Sequence, residues 1–122
     1  MAKRILVVDD EPDIIKVVVF RLKNEGYDVQ VATDGEQAVK LAWEMNPDLI
    51  LLDITLPKMN GYEVCGKIKA NGALKRVPVI FMTASLGTGH FNEMFPKTQA
   101  QGYVFKPFEF QDLLKEMKKF LK

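Results

Sequence analysis

The sequence has few of the residues and segments that mark several large classes of protein. It contains one cysteine, Cys65, and one histidine, His90, in 122 residues. A single cysteine excludes an internal disulfide framework and fits a reducing compartment. No apolar run approaches the ~18 residues of a membrane span, and the apolar stretch near the N-terminus is short and ends in acids, unlike a signal peptide. These absences indicate a soluble, cytoplasmic protein without a membrane segment.

An excess of charge of one sign is also missing. The chain carries 17 basic and 16 acidic residues, a net charge of +1. No global basic field therefore indicates direct binding of nucleic acid. Hydrophobic residues make up 48% of the chain, which is enough for a core. The length suits one domain over residues 1–122.

Short aliphatic runs alternate with helical patterns along the chain. The runs lie at 4–9, 28–32, 48–53, 78–83 and 102–106. Three are nearly continuous, as in parallel strands covered on both faces. Five strand–helix repeats with right-handed crossovers predict a doubly wound α/β fold with a five-stranded parallel sheet and five helices. Five strands favour the order 2-1-3-4-5.

Helix boundaries can also be read from the sequence. Pro12 fits the first turn of the first helix, and Asp34 and Asn60 fit the N-caps of the second and third. The segment 84–101 is different, because it contains two glycines and Pro96, which disfavour a helix interior. The fourth helix is therefore expected to be short or irregular.

Polar side chains stand at the carboxyl ends of four predicted strands. They are Asp9 with Asp10, then Asp53, Thr83 and Lys106. Because the carboxyl ends of parallel strands meet at one edge, these side chains should converge. Three acids repel one another unless a cation joins them, and an oxygen-only ligand set suits Mg²⁺ before Zn²⁺. Hydroxyl and ammonium donors suit phosphate oxygens, so the cluster predicts a phosphoryl site with Mg²⁺ and a carboxylate nucleophile.

Each of these residues has a simpler interpretation when it is taken alone. Asp9 or Asp10 fits a helix cap, Asp53 a turn residue, Thr83 a cap and Lys106 a solvated surface lysine. Their joint occurrence at four strand ends favours a site.

Four segments make the chain resemble the receiver domain of two-component response regulators over nearly its whole length. They are ILVVDDEPD, PDLILLDITLPKMNGYEV, PVIFMTA and GYVFKPF, in the order and spacing of that family. The resemblance implies a phosphorylation-activated switch in which Asp53 accepts a phosphoryl group from a sensor histidine kinase or a histidine phosphotransfer protein. It implies no enzymatic activity beyond the domain's own phosphorylation and dephosphorylation.

The resemblance also implies a set of metal ligands. Asp10, Asp53 and the backbone carbonyl of Thr55 would bind Mg²⁺, and Asp9 would support the ion through water.

Further residues would contact the phosphoryl group or respond to it. The contacts would come from Thr55, Thr83, Ala84 and Lys106, with a cis peptide between Lys106 and Pro107. Tyr103 occupies the position of the family's switch aromatic, which rotates inward as the threonine moves; ordinary strand packing is the alternative.

In this family the signalling face includes the fourth helix, so a downstream partner would bind the 84–122 face and respond to a shift of the 84–110 face. Because two glycines and a proline interrupt that helix, we hypothesise that segment 86–97 is mobile and orders on phosphorylation or partner binding. Thr55 and Ser85 lie where the family tunes the lifetime of the phosphoryl group.

Other functions remain open at the level of sequence. A haloacid-dehalogenase-type phosphatase would share the aspartate nucleophile, but it places a second acid two residues later, where this chain has Thr55. A flavin or nucleotide module would need a phosphate-binding loop after the first strand, where DDEPD is anionic. A scaffold that is never phosphorylated is the third alternative. The chain fits both a stand-alone regulator and a piece of a larger one.

Overall fold

A computed structural model describes residues 2–84 and 89–121. The strands are β1 (Arg4–Val8), β2 (Asp28–Ala32), β3 (Leu49–Asp53), β4 (Val79–Thr83) and β5 (Gly102–Phe105). The helices are α1 (Pro12–Asn24), α2 (Gly35–Met45), α3 (Gly61–Ala70), α4 (Gly89–Met94) and α5 (Phe110–Lys118). Within these described ranges no helix is both long and apolar enough to cross a membrane.

The strands form one parallel sheet in the order β2-β1-β3-β4-β5, which confirms the predicted topology. Every residue of β3 and β4 is buried, as their continuous hydrophobic runs predict. Alternate side chains of a strand point to opposite faces. Leu6 and Val8 accordingly join a core with α2 and α3, while Ile5 and Val7 join a second core with α1 and α5.

The predicted helix boundaries are confirmed. Pro12 is the first residue of α1. A side-chain oxygen of Asp34 accepts a hydrogen bond from the N–H of Gln37 at 2.8 Å, and one of Asn60 accepts from the N–H of Glu63 at 3.0 Å. These caps satisfy N–H groups that a helix leaves unpaired in its first turn.

The fourth helix is short, as predicted. It has six residues and continues as a 3₁₀ turn over Phe95–Lys97. Its aromatic rings attach it to β5: the ring centroid of Tyr103 lies 5.2 Å from that of Phe91 and 5.0 Å from that of Phe95. Residues 86–88 of the segment expected to be mobile lie outside the described residues, and that mobility stays a prediction.

Gly61, the first residue of α3, packs directly on the chain that follows β3. Its N–H donates a hydrogen bond to the carbonyl of Ile54 at 2.7 Å. A Cβ atom at this position would overlap the carbonyl oxygen of Asp53 and lie 2.7 Å from Cα of Ile54. The absence of a side chain therefore sets how closely α3 approaches the end of β3.

We expect Gly61→Ala to lower the free energy of unfolding by about 1–3 kcal/mol, because the added methyl group must displace backbone. Gly66, in the same helix, is the matched control, since a Cβ there meets nothing within 4 Å. Gly66→Ala should raise the free energy of unfolding by roughly 0.5–1 kcal/mol through helix propensity. Urea denaturation measures both, and equal effects would contradict the proposed backbone contact.

Candidate functional site

The carboxyl edge of the sheet brings four of the predicted residues together as buried side chains. Asp9 follows β1, Asp53 ends β3, Thr83 ends β4 and Lys106 follows β5. All four are at least 92% buried, Asp9 completely. Burying unpaired polar or charged groups costs desolvation free energy. Four such residues at one edge therefore indicate a function rather than a contribution to stability.

Asp10 completes a group of three acids. One carboxylate oxygen from each of Asp9, Asp10 and Asp53 lies within 4.8 Å of the others, and only Asp10 is exposed. Three negative charges at this separation repel one another, and a cation between them would relieve that repulsion. The ligand atoms are all oxygen, and an exposed acid leaves one side open to water. This donor set fits Mg²⁺, which prefers oxygen ligands and keeps several waters.

Lys106 neutralises part of this charge. Its ammonium nitrogen lies 2.8 Å from Oδ2 of Asp9 and 3.3 Å from Oδ2 of Asp53. Oδ1 of Asp9 accepts a hydrogen bond from the backbone N–H of Glu11 at 3.0 Å. Oδ1 of Asp9 is therefore hydrogen-bonded, whereas the buried Oδ2 has its ion pair with Lys106 but no hydrogen-bond partner among the described residues. Asp10 faces solvent.

A third acid on Lys106 was not predicted from the sequence. Oε1 of Glu11 lies 2.7 Å from the ammonium nitrogen, the shortest of its three carboxylate contacts. The feature of the sequence that could have pointed to Glu11 is its place as the third acid of ILVVDDE, directly before the proline that starts α1. Sequence reasoning gave it no role, because its direction depends on how the chain turns from β1 into α1.

Burial and neighbouring charge shift the pKa values of Asp53 and Lys106. Burial, together with the charge of Asp9, raises the pKa of Asp53 to about 6, although Lys106 and the N–H of Thr55 act in the opposite direction. Burial alone would lower the pKa of Lys106, but its contacts with Asp9 and Glu11 and the charge of Asp53 raise it above its ordinary value. The lysine is thus firmly protonated, and Asp53 becomes a carboxylate only against a free-energy cost.

The loop after β3 lies against Asp53. The backbone N–H of Thr55 donates to Oδ1 of Asp53 at 3.3 Å, and the residue itself is exposed. On the neighbouring strand, Thr83 is buried and Ala84, the next residue, is exposed. Ser85, expected to influence phosphoryl lifetime, lies outside the described residues. The peptide between Lys106 and Pro107 is cis, as the resemblance implied.

Tyr103 lies on β5 with its ring among aromatic neighbours. It contacts Phe91, Phe95 and Phe105 at centroid distances of 5.2, 5.0 and 5.2 Å. Its side chain remains 41% exposed. This position links α4 to the strand that leads into Lys106.

Comparisons with known proteins agree with this geometry. A family model described as the response regulator receiver domain matches residues 5–118. The DNA-binding response regulator MtrA of Mycolicibacterium smegmatis is 40% identical over 114 residues, which are 93% of this chain and 48% of that protein. The chain thus spans about half the length of this curated relative.

Solved structures give the same result. The receiver domain of a sensor histidine kinase from Pseudomonas aeruginosa, solved with a magnesium ion in its active-site cleft, is 32% identical with a TM-score of 0.91, over 98% of both chains. The response regulator TrrA from Thermotoga maritima, in complex with Mg²⁺-BeF, is 39% identical with a TM-score of 0.85, over 98% of this chain and 99% of that one.

The raised pKa of Asp53 predicts a pH-dependent stability. The pKa is raised from 3.8 to about 6, so ionised Asp53 destabilises the folded state, and this cost develops as the pH rises through that interval. Without divalent cations, we expect Asp53→Asn to be more stable than wild type by roughly 1–3 kcal/mol at neutral pH, with a smaller difference near pH 4.

Urea denaturation at several pH values measures this difference. Glu44→Gln, which removes an exposed acid from α2, is the control and should show little trend over the same interval. A difference between Asp53→Asn and wild type that stays constant with pH would show that Asp53 is not the titrating group.

Proposed function

The chain belongs to the family of response regulator receiver domains, which are phosphorylation-activated switches of two-component systems, and on that premise we propose that Asp53 is its phosphoacceptor. The observation that carries the proposal is the setting of this carboxylate, buried at the sheet edge between two further acids and 3.3 Å from Lys106. Asp9 is completely buried and Asp10 faces solvent. Asp53 ends the central strand β3, keeps a small exposed fraction and is held by hydrogen bonds from the N–H of Thr55 and from Lys106, so it is the carboxylate best placed for attack on phosphorus.

The reaction transfers a phosphoryl group from a phosphohistidine. An oxygen of Asp53 forms the new bond to phosphorus, the phosphorus–nitrogen bond breaks, and the imidazole nitrogen keeps the bonding electrons. Attack of water on the acyl phosphate later returns the carboxylate and inorganic phosphate. The chain thus acts on its own aspartate and releases no other product.

A bound Mg²⁺ would neutralise charge on the transferred group. Asp10, Asp53 and the carbonyl of Thr55 would hold it directly. Asp9 would act through water, since its Oδ1 accepts from the N–H of Glu11 and its Oδ2 is paired by charge with Lys106. The TrrA and Pseudomonas aeruginosa structures that contain magnesium support this choice of ion.

Donors for the phosphoryl oxygens come from the strand ends. Lys106 brings a firmly protonated ammonium group, and the hydroxyl of Thr83 ends β4 on the same edge. Thr55 and Ala84 follow β3 and β4 and would complete the contacts. Fixed donors of this kind stabilise negative charge without reorganisation during the reaction.

The output is proposed to be a change in partner binding. A shift of Thr83 would draw Tyr103 away from Phe91 and Phe95, and so alter the 84–110 face and the 84–122 surface that a downstream protein would bind. The phosphodonor is a sensor histidine kinase or a histidine phosphotransfer protein. MtrA is a DNA-binding regulator, but this chain corresponds to about half of it; with a net charge of +1 we propose no direct nucleic-acid binding by this chain.

We further propose that residues 1–122 act as one receiver domain in the cytoplasm. The match to the family model over residues 5–118 supports the first part. A single, buried, free thiol at Cys65 is compatible with a reducing compartment.

Phosphorylation can be tested by intact-mass measurement after incubation with acetyl phosphate and Mg²⁺. Wild type should gain one labile phosphoryl group, and Asp53→Asn should gain none, because the amide is a poor nucleophile. Glu44→Gln should behave like wild type. No gain by wild type would favour a scaffold that is not phosphorylated, and multiple turnover of a general phosphate ester would favour a phosphatase.

Calorimetric titration of Mg²⁺ separates the two neighbouring acids. Asp10→Asn should weaken Mg²⁺ binding by on the order of tenfold or more, because it removes a direct ligand, and Asp9→Asn should weaken it less. Urea denaturation of both variants checks that they are folded. Equal losses of affinity would mean that the direct and water-mediated roles are wrongly assigned.

A further inference from the structure

The Lys106 ammonium group is already paired with carboxylates before any ligand arrives: it donates hydrogen bonds to Glu11 and Asp53 and forms an ion pair with Asp9. An ammonium carries three donors, and Lys106 has three carboxylate neighbours: Glu11 at 2.7 Å, Asp9 at 2.8 Å and Asp53 at 3.3 Å. A new anionic ligand that contacts this lysine therefore competes with carboxylates that already hold it.

The side chain of Glu11 has no other evident task in the site. Glu11 is the N-cap residue of α1, yet its side chain makes no capping hydrogen bond, and glutamate is not among the residues favoured at that position. Within the described part of the chain, the acids grouped closely enough to share a metal ion are Asp9, Asp10 and Asp53, without Glu11. Its carboxylate is directed at the lysine.

We propose that Glu11 is a positioning residue that holds the Lys106 ammonium in the resting state and is displaced from it when the phosphoryl group binds. The proposal rests on the proposed function, in which Lys106 contacts the phosphoryl group. It assigns to Glu11 an inhibitory role: this carboxylate competes with the ligand for the lysine.

Exposure decides which carboxylate gives way. The side chain of Glu11 is 56% exposed, whereas that of Asp9 is fully buried. A released Glu11 is rehydrated at once, and exposed ion pairs contribute little to stability. A released Asp9 would leave a buried charge without its partner, which is strongly unfavourable. Asp53 would itself carry the phosphoryl group, so Lys106 would then contact the phosphoryl oxygens in place of the carboxylate oxygen of Asp53.

Beryllofluoride in saturating Mg²⁺ is a suitable probe, because it adds to an aspartate carboxylate as a phosphoryl group would. We expect Glu11→Gln to bind it about two- to fivefold more tightly than wild type, as expected for loss of a half-exposed ion pair that competes with the ligand. Titration followed by fluorine NMR measures the affinity, and Mg²⁺ affinity is measured separately for each variant.

Two controls separate the contact from charge alone. Asp13→Asn removes an exposed acid two residues further along, in the first turn of α1, and should bind beryllofluoride like wild type. Glu11→Asp keeps the charge but shortens the reach, and should shift the affinity in the same direction as Glu11→Gln. If Asp13→Asn matches Glu11→Gln, or Glu11→Asp matches wild type, the proposal is overturned.

A second measurement reads the lysine directly without ligand. In wild type the Lys106 ammonium should give a slowly exchanging proton–nitrogen NMR signal, weakened in Glu11→Gln and kept in Asp13→Asn. An unchanged signal in Glu11→Gln would overturn the holding role. Failure of wild type itself to bind beryllofluoride is a distinct result, which would overturn the proposed phosphoryl chemistry.

Discussion

The ammonium group of Lys106 is the interaction on which the carboxyl edge of this sheet depends. It lies within 3.3 Å of three carboxylates, two from the segment after β1 and one at the end of β3, and two of the three are almost completely buried. Without that charge, the buried carboxylates of Asp9 and Asp53 would repel each other with little access to solvent. The lysine does not balance the site completely, since it meets three carboxylates and Asp10 adds a further acid beside Asp9 and Asp53. Burial, together with the remaining negative charge, raises the pKa of Asp53, and that charge suits the edge to a divalent cation.

The fold supplies this edge through its hydrophobic strands. β3 and β4 are apolar and buried up to their last residues, so their ends are the first positions at which polar side chains can stand together. Parallel pairing aligns these ends although the residues are far apart in sequence, as Asp53 and Lys106 are. The close approach of Gly61 to Asp53 and Ile54 then sets the position of α3 beside the site. The rigidity of the site therefore comes from ordinary strand and helix packing, and its reactivity from the few side chains at the ends.

Much of this arrangement could be predicted from the sequence, because strand ends and helix caps are local features. Asp34 and Asn60 were recognisable as caps, and the convergence of Asp9, Asp53 and Lys106 followed from parallel strand ends. The contact of Glu11 with Lys106 could not be predicted, since it depends on the direction in which the chain leaves β1. The ring contacts of Tyr103 could not be predicted either. The sequence pattern shows that Tyr103 lies on a strand, but it does not show which rings from other elements pack against it.

The contacts between Tyr103 and the rings of Phe91 and Phe95 bear on what a binding partner would detect at this surface. Contacts between aromatic rings are less directional than hydrogen bonds. A ring can therefore change its neighbours without leaving a buried polar group unsatisfied. Tyr103 takes part in three of these ring pairs. If Tyr103 moves as proposed, the shape of this apolar surface would change while its net charge stays the same. In the proposed switch, a change of charge at the acidic edge would thus reach the partner as a change in surface shape.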